Sequence, residues 1–323
     1  MLPRRKAMKR AVNATPADST RQKDDTNMQA QPSQQTSTRS LLVFFILAFA
    51  LSWWPWPLVV LNPDSVALIP WSPLVAALIM AAVVGGRQGL KELLSRTVRW
   101  RVGLTWYAAA ILLPAAITIL AALLHVLLGA DAPTAADFSD WYTFPLVFLV
   151  TFFVKGPLTE EVAWRGFALP RLLDRMSPFA ASVLLGAIWA LWHLPLLVSD
   201  PSAQRPPVQF IVGIVAMSVL FTWLYQRTSG SVLLPTLMHA MVNSMAAFVF
   251  PVFQGAGYGR LWWIYAGVLW ASALTVMVVG KSHRAGRQGS ARHTLPDTRL
   301  QGRSSHVDGR PIRHAEASAP DRE

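Results

Sequence analysis

Cysteine is absent from this chain of 323 residues, and charged residues make up only 14% of it. With no thiol there is no disulfide, no haem-attachment motif and no thiolate metal site. A soluble domain carries about 25% charged residues, so nearly half of the charge expected of one is missing. No HExxH sequence occurs and no internal repeat is visible. Acidic side chains are the scarcer sign, 17 against 29 Lys and Arg, for a net charge of +12. A basic excess of this size raises nucleic-acid binding as a reading. The excess sits in the two ends and in short loops, however, where positive-inside asymmetry accounts for it, and no nucleic-acid partner is expected.

What the chain has in quantity is apolar sequence, 53% of all residues. Residues 1–40 and 281–323 are polar and basic and are expected to be disordered tails. Between them, 41–280 reads as a transmembrane bundle. Its apolar runs fall at 41–61, 66–84, 106–128, 142–169, 178–198, 208–225, 231–250 and 261–280. Each is close to the roughly 20 residues that cross a hydrocarbon core about 30 Å thick. In lipid the backbone must satisfy its own hydrogen bonds, so the runs are helices. The fold class is therefore all-α, a polytopic membrane bundle of about eight transmembrane helices. The first run starts too deep for a cleavable signal and is expected to be a signal anchor.

Both termini are expected on the cytoplasmic side. That assignment puts Arg87, Lys91, Arg96, Arg99 and Arg101 in one inner loop, Arg171 and Arg175 in another, and Asp131, Asp137 and Asp140 outside. The basic stretch LKELLSRTVRWRV (90–102) is expected to lie along the membrane surface. Of 14 tryptophans, Trp53, Trp54, Trp56, Trp71, Trp100, Trp106, Trp141, Trp262 and Trp263 fall near helix ends and read as an interfacial belt. Trp164, Trp189 and Trp192 stand apart, beside polar residues. Compact loops and an Ala/Arg-rich composition point to an integral protein of a bacterial plasma membrane.

An ionisable group at the centre of a transmembrane helix costs roughly 2.5–3.5 kcal/mol on insertion scales, so each such group is a functional candidate. The fourth run holds Lys155, Glu160, Glu161 and Arg165; the third holds His125, the fifth His193 and the seventh His239. Glu161 and Arg165 stand four apart and can pair. Glu160 is turned about 100° from Glu161 on a helix, free to point into the bundle. Pro157 is expected to kink the helix or start a new segment. Trp189 precedes His193 by four residues and His239 precedes Asn243 by four, each pair on one helix face. His125, alone in its helix, reads as structural. By rise along the helices, Glu160 and His239 fall in the inner half of the bilayer and His193 in the outer half.

The three motifs are Glu160-Glu161-Val-Ala-Trp-Arg165, Trp189-Ala-Leu-Trp-His193 and His239-Ala-Met-Val-Asn243. In this order, on successive apolar segments within 143–250, they resemble the CPBP family, the CAAX-protease and bacteriocin-processing intramembrane endopeptidases. One departure is Trp189, where the family usually has Phe. The resemblance implies hydrolysis of a peptide bond in a membrane-associated protein or peptide. In that scheme Glu160 is the base for a water, assisted by His193, while His239 and Asn243 stabilise the oxyanion; Glu161, Arg165 and Trp189 support them. It also leaves open a metal-dependent version, with Glu160, His193 and His239 holding a divalent ion such as zinc. Two other readings stay open on the residues alone: a non-catalytic immunity or binding protein of the same fold, and a proton-coupled transporter.

Overall fold

The computed structural model describes residues 34–62, 67–199, 205–253, 255 and 257–293. The tails expected at either end lie mostly outside this range. Within it the first helix begins at Gln34 and the last continues to His293. Eleven α-helices follow one another among the described residues, beginning with α1 (Gln34–Trp53), α2 (Ser72–Thr97), α3 (Leu104–Leu127) and α4 (Phe144–Phe153). Next come α5 (Pro157–Glu161), α6 (Leu169–Leu173), α7 (Pro178–Trp192) and α8 (Leu194–Ser199). The chain then runs through α9 (Pro207–Arg227), α10 (Leu233–Val249) and α11 (Tyr258–His293), and a π-helix over Val162–Ala168 lies between α5 and α6. No strand occurs among the described residues. Grouped by length and composition, these pieces give eight helices able to cross a membrane, as the apolar runs predict. Residues 277–323 form a separate unit, described only as the last turns of α11.

The fourth span is the one that is not a simple helix. It stretches over Ala135–Leu173, far longer than a bilayer requires, and it breaks in the middle. α4 ends at Phe153, Gly156 turns the backbone at φ 108°, and Pro157 begins α5. A positive φ of this kind is open to glycine and strained for other residues. Proline suits the first helical turn, where its missing N–H is not needed. The new segment expected at Pro157 is thus present, with Gly156 as the residue that permits it. Five residues later the helix widens into the π-helix, a local form that recurs at functional sites.

Packing around this broken span fixes its neighbours. α7 lies along α9, α10 along α3 and α1 along α2, while α2 meets the π-helix and α10 meets α4 and α5. Helices in lipid associate through close backbone approach, and Gly186 provides one: a Cβ there would sit 2.9 Å from the Val215 Cα and 2.9 Å from the Ser218 Cβ. That contact draws α7 onto α9 one turn before Trp189. Large apolar side chains facing outward, such as Ile46, Leu112, Leu123 and Phe153, are exposed and suit a hydrocarbon surround.

One surface expectation needs correction, and it concerns the tryptophans. The basic stretch 90–102 has one face fastened to the protein. Leu93 is buried against Gly166, Arg96 Nη1 donates to the Gly166 carbonyl at 3.2 Å, and Val232 N–H donates to the Arg96 carbonyl at 2.9 Å. Trp54, Trp71, Trp100, Trp141 and Trp263 are exposed near helix ends, but Trp262 is buried, edge-on to Phe250 with ring centroids 4.9 Å apart. Its large ring fills the gap between α11 and the chain after α10. His125 is held as expected of a structural histidine: Arg260 Nε donates to its Nδ1 at 3.3 Å and Phe253 packs edge-on against it.

Candidate active site

Glu160 and Glu161 are both buried, at 4% and 0% exposure, and they take different partners. Arg165, also at 0%, donates from Nη1 to Glu161 Oε1 at 3.0 Å. His239 Nδ1 reaches the same oxygen at 3.0 Å. A carboxylate oxygen only accepts, so Nδ1 carries the proton in that bond. The i,i+4 pair read from the sequence is therefore present, and α10 adds His239 to it. The π-helix keeps Arg165 directed at Glu161 while burying its whole length.

Arg165 is incompletely paired. Its Nε and Nη2, and Glu161 Oε2, are buried without a hydrogen-bond partner in the protein. Aromatic faces stand where partners would be. The guanidinium carbon lies 4.7 Å from the Trp189 ring centroid and 4.9 Å from that of Phe221. Cation–π attraction is strongest in such desolvated sites. Phe221 also lies 5.6 Å, centroid to centroid, from His239. Nothing in the sequence singles out Phe221, which is one aromatic in an apolar helix.

Glu160 faces the other way. Its Oε2 accepts a hydrogen bond from the Trp189 indole N–H at 2.6 Å. Its Oε1 lies over Gly156, where a Cβ would collide with it and come within 3.3 Å of its Cδ. Among the described residues no hydrogen bond is made to Oε1. Gly156 is the second residue that sequence reading missed; only the Gly-Pro pair ahead of the motif hints at it.

Trp189 joins the remaining parts. His193, half-buried at the end of α7, has its Nδ1 2.9 Å from the Trp189 carbonyl. A carbonyl can only accept, so Nδ1 is the protonated nitrogen and the neutral ring keeps its lone pair on Nε2. The Trp189 ring meets His193 edge-on at 5.7 Å and His239 edge-on at 5.1 Å. Glu160, Glu161, Arg165, Trp189, His193 and His239 thus form one cluster. Asn243 sits one turn beyond His239 on α10, half-exposed, and no hydrogen bond ties it to the cluster. Lys155 is exposed and stands apart.

The metal-dependent version asks for three donors around one point. Among the described residues no three His, Cys, Asp or Glu side chains are grouped in a way that could hold a metal ion. Glu160, His193 and His239 as placed are therefore not gathered around one point.

Comparison with known proteins agrees with the three motifs. A CAAX prenyl protease 2 of Methanococcus maripaludis is 27% identical over 183 residues, covering 53% of this chain and 67% of that protein. Residues 141–245 match the family described as "Type II CAAX prenyl endopeptidase Rce1-like". That match runs through all three motifs, from Glu160 to Asn243, and with the relative it supports the resemblance of this chain to the CPBP family of CAAX-type membrane proteases.

Proposed function

We propose that this chain cleaves a membrane-associated protein or peptide inside the bilayer, with Glu160 as the base that activates water. The observation that carries the reading is the state of the Glu160 carboxylate: buried, fixed through Oε2 by Trp189, and unbonded at Oε1. A water held at Oε1 gives up a proton to Glu160 as its oxygen attacks the scissile carbonyl carbon. Glu160 then returns that proton to the departing nitrogen as the C–N bond breaks, leaving a carboxylic acid and an amine. His193, with its lone pair on Nε2, assists the proton transfer.

The oxyanion falls to His239 and Asn243. With Nδ1 committed to Glu161, His239 can donate only through Nε2, and only as imidazolium; Glu161 is then its counter-charge. The Asn243 amide donates in any state. One such donor is typically worth about 2.7–4 kcal/mol in the transition state. The termini are assigned to the cytoplasmic side from the basic loops, in a bacterial plasma membrane. A prenylated CAAX substrate, of the kind named in the relative's name, CAAX prenyl protease 2, is one member of the substrate class assigned.

The test is cleavage of a membrane-peptide set, each peptide with and without a prenyl group, by purified wild type, Glu160→Ala and His239→Ala. Each runs with and without a strong zinc chelator. The expected result is cleavage lost in both variants and unchanged by chelator. Cleavage surviving in Glu160→Ala would remove Glu160 as the base, and cleavage lost to chelator and restored by zinc would replace the mechanism with a metal-dependent one.

A further inference from the structure

We infer that Trp189 is a positioning residue for the reaction, acting through its indole N–H rather than as an aromatic wall. The inference rests on the reading of Glu160 as base and goes beyond it. Phenylalanine, usual at this place in the family, fills space and cannot donate; tryptophan adds one donor, and that donor is spent on Glu160 Oε2 at 2.6 Å.

The contrast with the neighbouring tryptophans makes the bond specific. Trp164 and Trp192 are as deeply buried as Trp189, and both leave their indole N–H without a partner in the protein. Burial of an indole therefore does not by itself bring an acceptor to it here. The bond also has a geometric consequence. A glutamate side chain has three rotatable bonds, and Glu160 has no basic partner, because Arg165 belongs to Glu161. Trp189 fixes one carboxylate oxygen from the α7 side, Gly156 gives the other oxygen room on the α5 side, and Oε1 is left as the oxygen that meets a water. The same residue orients His193 through its carbonyl. Base and assisting histidine are thereby set by two atoms of one residue, and its rotamer is locked by Phe221, His239 and Arg165 around the ring.

The experiment compares wild type with Trp189→Phe and with benzothienylalanine introduced at position 189. The second is an isostere of tryptophan with sulfur in place of the N–H, so it keeps the ring contacts and removes only the donor. Glu160→Gln runs alongside, since it retains an acceptor oxygen and removes the base. Steady-state kinetics on one cleaved peptide are read with thermal unfolding of each form. The expected result for the isostere is a kcat lower by roughly 10- to 100-fold, the range for a hydrogen bond to a charged group, with KM within about twofold. Trp189→Phe falls at least as far.

An isostere with wild-type kcat beside an inactive Glu160→Gln overturns the positioning role and leaves the base intact. A raised KM at unchanged kcat overturns it as well, marking Trp189 as a wall of the substrate site. Wild-type cleavage by Glu160→Gln instead defeats the base reading itself, and the catalytic role of Trp189 falls with it. A stability loss in the isostere would still report the bond in that case, which separates the two failures.

Discussion

Replacing Gly156 with alanine changes two things that can be measured separately. The first is backbone strain. Gly156 sits at φ 108°, and holding a side-chain-bearing residue in such a region costs on the order of 1–3 kcal/mol of stability. The second is the position of Glu160. The new methyl would collide with Oε1 and stand 3.3 Å from Cδ, inside the usual 3.5–4.0 Å carbon separation. To clear it the carboxylate must retreat by about 1 Å, and a displacement of that size at a reacting group costs on the order of 100-fold in rate. It would also pull Oε2 away from the Trp189 N–H, for which 2.6 Å leaves little slack. Gly129→Ala is the control: its φ is 88° and nothing lies within 4 Å of the added carbon. The assay is kcat on a fluorogenic membrane peptide, with thermal unfolding in the same lipid or detergent. Both variants are expected to lose comparable stability, and only Gly156→Ala to lose about two orders of magnitude in kcat. If Gly156→Ala loses no more activity than Gly129→Ala, the carboxylate is not held where its function has been argued to need it.

Two further outcomes follow from the same geometry. Arg165→Ala leaves the buried Glu161 charge without its cation and should cost about 3–5 kcal/mol, read as a lowered unfolding midpoint; Arg165→Lys should restore little, since a compact ammonium cannot lie flat between Trp189 and Phe221. A variant as stable as wild type would contradict the pairing. His125→Ala should cost about 0.5–1.5 kcal/mol, the size of one hydrogen bond, with kcat unchanged, and a tenfold fall in kcat would show that the Arg260–His125 contact reaches the site.

The membrane class and the helix count were legible in the sequence because both depend on local composition. Twenty apolar residues in a row must be helical in lipid whatever surrounds them. The Glu161–Arg165 pair was legible for a similar reason, since i,i+4 spacing is a property of one helix. So was the break at Pro157, which follows from the missing N–H. Rise along the helices was a poorer guide. It put His193 and Glu160 in opposite halves of the bilayer, yet α7 ends at His193 and Trp189, one turn earlier, bonds directly to Glu160. Depth counted from helix ends ignores how far each helix is sunk, tilted or broken.

Tertiary packing alone decided the rest. The widening of Val162–Ala168 into a π-helix has no signature in those seven residues, and the helix that packs on them from elsewhere in the chain is α2. His239 joins Glu161 across 78 positions of sequence, and Trp189 joins Glu160 across 29. Hydrophobic periodicity fixes which residues of a helix are polar, but helix-to-helix rotation is set by contacts such as Gly186 against Val215 and Ser218. For that reason the sequence supplied the polar residues of the site and their order, while only the folded bundle determined which glutamate took the arginine and which took the tryptophan.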